Sequence, residues 1–159
     1  MLTAKLIGVC SAFLLSATAL ALPSIPAQAQ MTMRFSAPFI SDSGYVGSKN
    51  KHFITLAVTG FALKSVTVAL PPGAGDSFQT KAVDKFGQEI PAKAMVSANG
   101  LTLNFNQPIK PDSYVTIQFT NLDMSKIGGR ALYRVSAMLE GINGEFPVGS
   151  AMIRLKEQS

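Results

Sequence analysis

The chain has 159 residues, with 14 Lys and Arg against 9 Asp and Glu, one cysteine and no tryptophan. That length is enough to bury one core without staples, and a single thiol excludes both a disulfide scaffold and a thiolate metal centre. Beyond Lys5 the cations are spaced from Arg34 to Lys156 without a block of like sign. This favours a solubilising surface with weak attraction to anionic envelope polymers, and argues against nucleic acid, which needs Arg and Lys clustered with aromatics.

Lys5 precedes an apolar run from Leu6 to Leu22, followed by Pro23, Pro26 and the small residues Ala27 and Ala29. One early charge, an apolar middle and an Ala-x-Ala ending predict a secretory signal over residues 1–29, cleaved before Gln30. The run is at the short limit for crossing a hydrocarbon core, and prolines break a helix, so cleavage is expected over retention as an anchor. Cys10 then leaves with the signal; Val9 in front of it fits lipoprotein processing poorly. Residues 30–159 form one domain, in which 13 cations face 9 anions and no thiol remains.

From Asn50 onward the chain reads as short apolar-alternating segments punctuated by Pro, Gly and Asn, the period-two pattern of half-buried antiparallel strands. Before it, the patch Phe35 to Ile40 predicts an edge strand, since Pro38 cannot donate to a central ladder, and Asp42 to Lys51 a polar loop. Phe53 to Thr59 alternates Ile54, Leu56 and Val58 with Phe53, Thr55 and Ala57, and Gly60 ends it. Leu63 to Leu70 turns Val66, Val68 and Leu70 inward and Lys64, Ser65, Thr67 and Ala69 toward solvent, until Pro71-Pro72-Gly73 stops it.

Phe78 to Ile90 predicts a hairpin turning at Lys85-Phe86-Gly87, where the glycine supplies a positive φ. Asn99-Gly100, between Ala94 to Ser97 and Leu101 to Phe105, is a strong hairpin signal. Pro108 and Pro111-Asp112-Ser113 make the next connection, after which Val115, Ile117 and Phe119 alternate with Thr116 and Gln118. Asn121 to Arg130 is a long connection with room for a helical turn at Asp123-Met124-Ser125. The closing hairpin places Tyr133, Val135, Ala137 and Leu139 on the core phase, turns at Gly141-Ile142-Asn143-Gly144, and returns over Ser150 to Leu155 with Ala151, Ile153 and Leu155 inward. Lys156 to Ser159 are expected to fray. The spacing predicts an all-β, immunoglobulin-like antiparallel sandwich of about seven or eight strands.

Several of these segments, Pro38-Phe39-Ile40, Phe53-Ile54-Thr55-Leu56, Leu63 to Val68, Pro108-Ile109-Lys110-Pro111 and the closing Tyr133-Arg134-Val135-Ser136-Ala137 with Gly141 and Val148 to Ile153, resemble an exported cyanobacterial family catalogued as domain of unknown function 2808. The resemblance spans nearly all of residues 30–159 and is most specific in the final hairpin. These are turn and core residues. A last strand ending at Leu155-Lys156, where the family ends with a tyrosine, is a departure. The resemblance implies the fold and export; the family's activity is itself unassigned.

Candidate chemistry is sparse. His52 is the only histidine, between Lys51 and Phe53 at a strand start, where a solvated imidazole is expected. No Gly-x-Ser-x-Gly accompanies it, so a hydrolytic triad is not indicated. Met31, Met33, Met95, Met124, Met138 and Met152 offer soft thioethers, and three converging would hold Cu(I). Met138 and Met152 fall on the two strands of the closing hairpin, opposite the core phase, and with His52 make the candidate metal set. The carboxylates Asp42, Asp76, Asp84, Glu89, Asp112, Asp123, Glu140 and Glu145 sit mostly in predicted turns, where such groups cap local backbone, and no Asp-x-Asp calcium spacing occurs. Gly73-Ala74-Gly75 lacks the Lys-Ser/Thr of a phosphate loop. Tyr45, Tyr114 and Phe146 lie in or beside predicted loops and suit either a recognition surface or core anchoring.

The expectation is an exported, non-enzymatic sandwich of the periplasm, cell envelope or extracellular space, with a structural or binding role and no cofactor. Its partner is an envelope protein or polymer, not nucleic acid, with no stable membrane insertion after signal cleavage. The surfaces available are the Asp42 to Lys51 loop, the Asn121 to Arg130 loop and an open edge strand. The alternative is a periplasmic copper-binding protein using Met138, Met152 and His52.

Overall fold

A computed structural model describes residues 36–47, 51–75, 77–97, 100–122, 127 and 129–155. The expected signal over 1–29, Asn99 of the hairpin turn, the Asp123-Met124-Ser125 turn and the last four residues lie outside them. Among the described residues there are ten strands: β1 (Phe39–Val46), β2 (Lys51–Val58), β3 (Leu63–Ala69), β4 (Gln79–Val83), β5 (Glu89–Ile90), β6 (Ala92–Ser97), β7 (Gly100–Ile109), β8 (Ser113–Thr120), β9 (Arg130–Leu139) and β10 (Glu145–Arg154). They make two five-stranded antiparallel sheets, ordered β1-β2-β8-β4-β5 and β10-β9-β3-β7-β6. The chain is thus an all-β sandwich. Among the described residues no helix is long and apolar enough to cross a membrane.

Alternation builds the interior as the sequence predicts. Ile54, Leu56 and Val58 of β2, Val115, Ile117 and Phe119 of β8, Val66 and Val68 of β3, Leu101 and Leu103 of β7, and Tyr133, Val135, Ala137 and Leu139 of β9 are all buried in one core. A side chain of this size withdrawn from water stabilises by roughly 1.5–3 kcal/mol, which is what holds the two layers face to face. On the outer faces, threonine pairs knit neighbouring strands: Thr55 to Thr116 at 3.0 Å in the first sheet and Thr67 to Thr102 at 3.2 Å in the second.

The turns follow their local chemistry. At Gly87 φ is +81°, and Asp84 Oδ1 accepts from the N–H groups of Phe86 and Gln88 at 2.8 Å each, so the carboxylate caps the β4–β5 turn. Gly60 has φ +72°, and a Cβ there would lie 2.0 Å from the Ser36 carbonyl oxygen. Beside it Thr59 Oγ1 donates to the Ala37 carbonyl at 2.6 Å. Together they hold the chain entering β1 against the end of β2.

Four expectations are corrected. The residues read as a loop after Asp42 continue β1 as far as Val46, paired with β2 from Asp42↔Thr55 to Val46↔Lys51. Ser65 is buried, because a bulge between Leu63 and Ser65 shifts β3 against both neighbours. Pro108 lies within β7, which runs on to pair Ile109 with Leu63. The last strand begins at Glu145, well before Ser150, with an irregularity between Pro147 and Gly149.

Candidate functional site

The lone histidine is not solvated. His52 is fully buried, because it shares the inward phase of β2 with Ile54, Leu56 and Val58. Across the inner face of the first sheet, Tyr45, His52, Phe119 and Thr80 form one row through the registers Tyr45↔His52, His52↔Phe119 and Thr80↔Phe119. From the opposite sheet Tyr133 drops onto this row. Its hydroxyl lies 2.7 Å from His52 Nδ1, its ring stacks on Phe119 at 5.6 Å between centroids, and Tyr45 meets the imidazole edge-on at 5.1 Å.

Partner counting fixes the proton positions. His52 Nε2 has no hydrogen-bond partner. If Nδ1 carried the proton and donated to the phenol, both the tyrosine O–H and the bare Nε2 would go unmet. With Tyr133 donating to Nδ1, only the Nε2–H is left over, and this arrangement strands the fewest buried polar groups. Burial also keeps the pair uncharged: it pulls the His52 pKa down to about 4 and pushes the Tyr133 phenol well above its ordinary value. A neutral imidazole held by a phenol ties the two sheets together. Among the described residues the hydrogen bond to His52 comes from Tyr133 and not from the orienting acid of a catalytic relay.

The candidate metal ligands do not converge. Met138 pairs with Glu145, whereas Met152 pairs with Leu132 toward the other end of the hairpin. The six residue steps from Leu132 to Met138 along β9 span about 20 Å. His52 points into the core, away from both exposed thioethers. Among the described residues no group of three or more His, Cys, Asp or Glu is placed to hold a metal ion. Met31, Met33 and Met124 lie outside those residues.

The remaining candidates sort by exposure. Asp42 Oδ1 accepts from the Ser43 N–H at 2.8 Å, a local role like that of Asp84. Tyr45 and Phe146 are half-buried and pack on the core, while Tyr114 is exposed. Of the Asn121 to Arg130 connection, Leu122 is buried and Ile127 packs on the core. An open depression of about 470 Å³ lies along β4 and β8, lined by Gln79, Thr80, Lys81, Glu89, Gln118 and Thr120.

One sheet edge stands open. β6 pairs only with β7, from Ala92↔Phe105 to Ser97↔Gly100. Val96 lies opposite the buried Leu101, on the inward phase, yet is 46% exposed, and Met95 on the other phase is 50% exposed. The cause is the brevity of β5: two residues at the edge of the first sheet do not extend over β6. The strand therefore offers free main-chain donors and acceptors with apolar side chains on both faces.

No family model matches the chain, and no curated protein matches it. Some solved structures show a distant likeness to it. A DUF4466 family protein from Parabacteroides merdae is 13% identical, with a TM-score of 0.43, over 73% of this chain and 43% of that one, so the match spans under half of that protein. The collagen-binding domain of a Staphylococcus aureus adhesin is 9% identical, with a TM-score of 0.42, over 74% of this chain and 95% of that one. The human F-spondin reeler domain is 8% identical, with a TM-score of 0.45, over 76% and 87%.

Proposed function

We propose that this chain is an exported, non-enzymatic β-sandwich of the periplasm or cell envelope that works as a binding module, belonging to the cyanobacterial family of unknown function it resembles. The observation that carries the binding role is the β6 edge, where an unpaired backbone lies between exposed Met95 and Val96. Such an edge accepts an extended segment of another protein as an added strand, with main-chain hydrogen bonds giving affinity and the flanking apolar residues giving register. The non-enzymatic reading draws support from the neutral His52–Tyr133 pair, which holds the only imidazole of the chain inside the core. Export draws support from the apolar leader ending at Ala27 and Ala29.

The test is a photo-crosslinking amino acid placed at Val96 or, as a control, at Tyr114 on the opposite sheet, in intact cells. A discrete protein adduct is expected from position 96 and not from 114, and it should be lost when Met95→Lys charges the edge. Adducts of equal yield from both positions, or none from 96, would remove the β6 edge as the binding surface.

A further inference from the structure

Cations that are dispersed along the sequence are brought together by the fold. β9 turns Arg130, Leu132 and Arg134 to the outer face of its sheet, and β10 sets Arg154, Met152 and Ser150 beside them, in the register Arg154↔Arg130, Met152↔Leu132, Ser150↔Arg134. All six are exposed, Leu132 at 43% and Met152 at 56%. Directly opposed side chains have Cβ atoms about 4.5–5.5 Å apart, and Arg134 lies about 13 Å along the strand from Arg130. Three guanidiniums thus surround one exposed apolar pair.

The arrangement is unfavourable on its own terms. Like charges directly opposite one another destabilise an antiparallel pair, as Arg130 and Arg154 must. Among the described residues no carboxylate reaches any of the three arginines within 4.0 Å. Glu145, the acid on these two strands among the described residues, pairs with Met138 at the far end of the hairpin. Among the described residues nothing neutralises the positive field of this face, which suits it to an anionic surface.

We propose that the outer face of β9 and β10 docks onto an anionic phospholipid bilayer, with Arg130, Arg134 and Arg154 on lipid phosphates and Leu132 and Met152 at the boundary between headgroups and acyl chains. Guanidinium matches phosphate with two parallel hydrogen bonds. A sulfated or carboxylated polysaccharide presents comparable anions but would leave the Leu132–Met152 pair in water. Cation, apolar pair and cation in succession complement a surface where charge and hydrocarbon lie a few ångströms apart. Each basic residue near such a surface strengthens binding roughly fivefold, so three give on the order of a hundredfold, a peripheral and salt-reversible attachment. This face lies at the β10 end of the sheet, away from the β6 edge, and does not depend on strand addition there.

Co-sedimentation of the full chain with phosphatidylcholine vesicles, with and without phosphatidylglycerol, tests the proposal. Binding is expected to be at least about tenfold tighter to the anionic vesicles and to vanish at high salt. Arg134→Gln/Arg154→Gln should weaken it by about 25-fold, while Arg134→Lys/Arg154→Lys retains most of it. Leu132→Ser/Met152→Ser should weaken vesicle binding as well. All four side chains are exposed, so the fold is expected to survive, and an unchanged thermal midpoint confirms it. Equal binding to neutral and anionic vesicles, as an apolar leader alone would give, overturns the proposal. So does a Gln variant that binds like wild type, or dextran sulfate binding as tight as vesicle binding and indifferent to Leu132→Ser/Met152→Ser.

Discussion

His52 and Tyr133, 81 positions apart in the chain, join the two layers by a hydrogen bond in which neither group is charged, and this makes the fold sensitive to acid. Burial lowers the imidazole pKa from 6.5 to about 4. The unfolded chain takes up a proton at about its ordinary pKa and the folded chain refuses it until much lower pH. This contribution to stability is therefore complete above pH 6.5, falls as pH drops toward 4, and amounts to roughly 3 kcal/mol over that window. Because the chain has a single histidine, its imidazole resonance is unambiguous by NMR. In the folded protein it should stay neutral down to about pH 4; a midpoint near the ordinary histidine value would contradict the buried pairing. The position of His52 was legible in the sequence, though the flanking Lys51 drew attention to solvent. It lies two, four and six residues before Ile54, Leu56 and Val58, so the alternation that buries those three buries it too. Its partner was not legible, since alternation places Tyr133 inside without saying what it meets.

At the level of elements, the β4–β5 hairpin depends on one side chain. Asp84 Oδ1 accepts two backbone N–H groups, and its own amide and carbonyl bond Gln88 and Gly87. Removing the carboxylate in Asp84→Ala should cost about 1–2 kcal/mol, read as a lower urea midpoint with an unchanged slope; an unaltered midpoint would show that the turn is held by its backbone alone. A strand with strict alternation, such as β9, was readable residue by residue, and β2 from Phe53 onward nearly so. β1 was not, because Ser41-Asp42-Ser43-Gly44 offers no apolar periodicity: an edge strand owes its place to a neighbour's hydrogen bonds. The first half of β10 was hidden by Pro147 and Gly149, which break the pattern where the strand itself is irregular.

For the whole molecule, each sheet closes only when distant parts of the chain meet. β2 takes β8 as its neighbour through Ile54↔Ile117, and β3 takes β9 through Val66↔Ala137. Loop closure over such separations comes before its reward, which places refolding in the range of about milliseconds to seconds. Stopped-flow refolding should find it there, and a microsecond phase carrying the full amplitude would contradict this order of assembly. The same pairing explains the limit of sequence reading at this scale. Periodicity states which residues face inward, but not which strands lie side by side, so three dispersed arginines looked like ordinary solubilising charge. They form a patch only once β9 and β10 are zipped in register.

The chain has three tyrosines and no tryptophan, and one of those phenols, Tyr133, is locked inside against Phe119 and His52. Burial raises its pKa, so alkali can ionise it only as the layers part. Tyrosinate absorbs where the neutral ring does not, which gives this protein an intrinsic optical gauge of whether its two sheets are still closed.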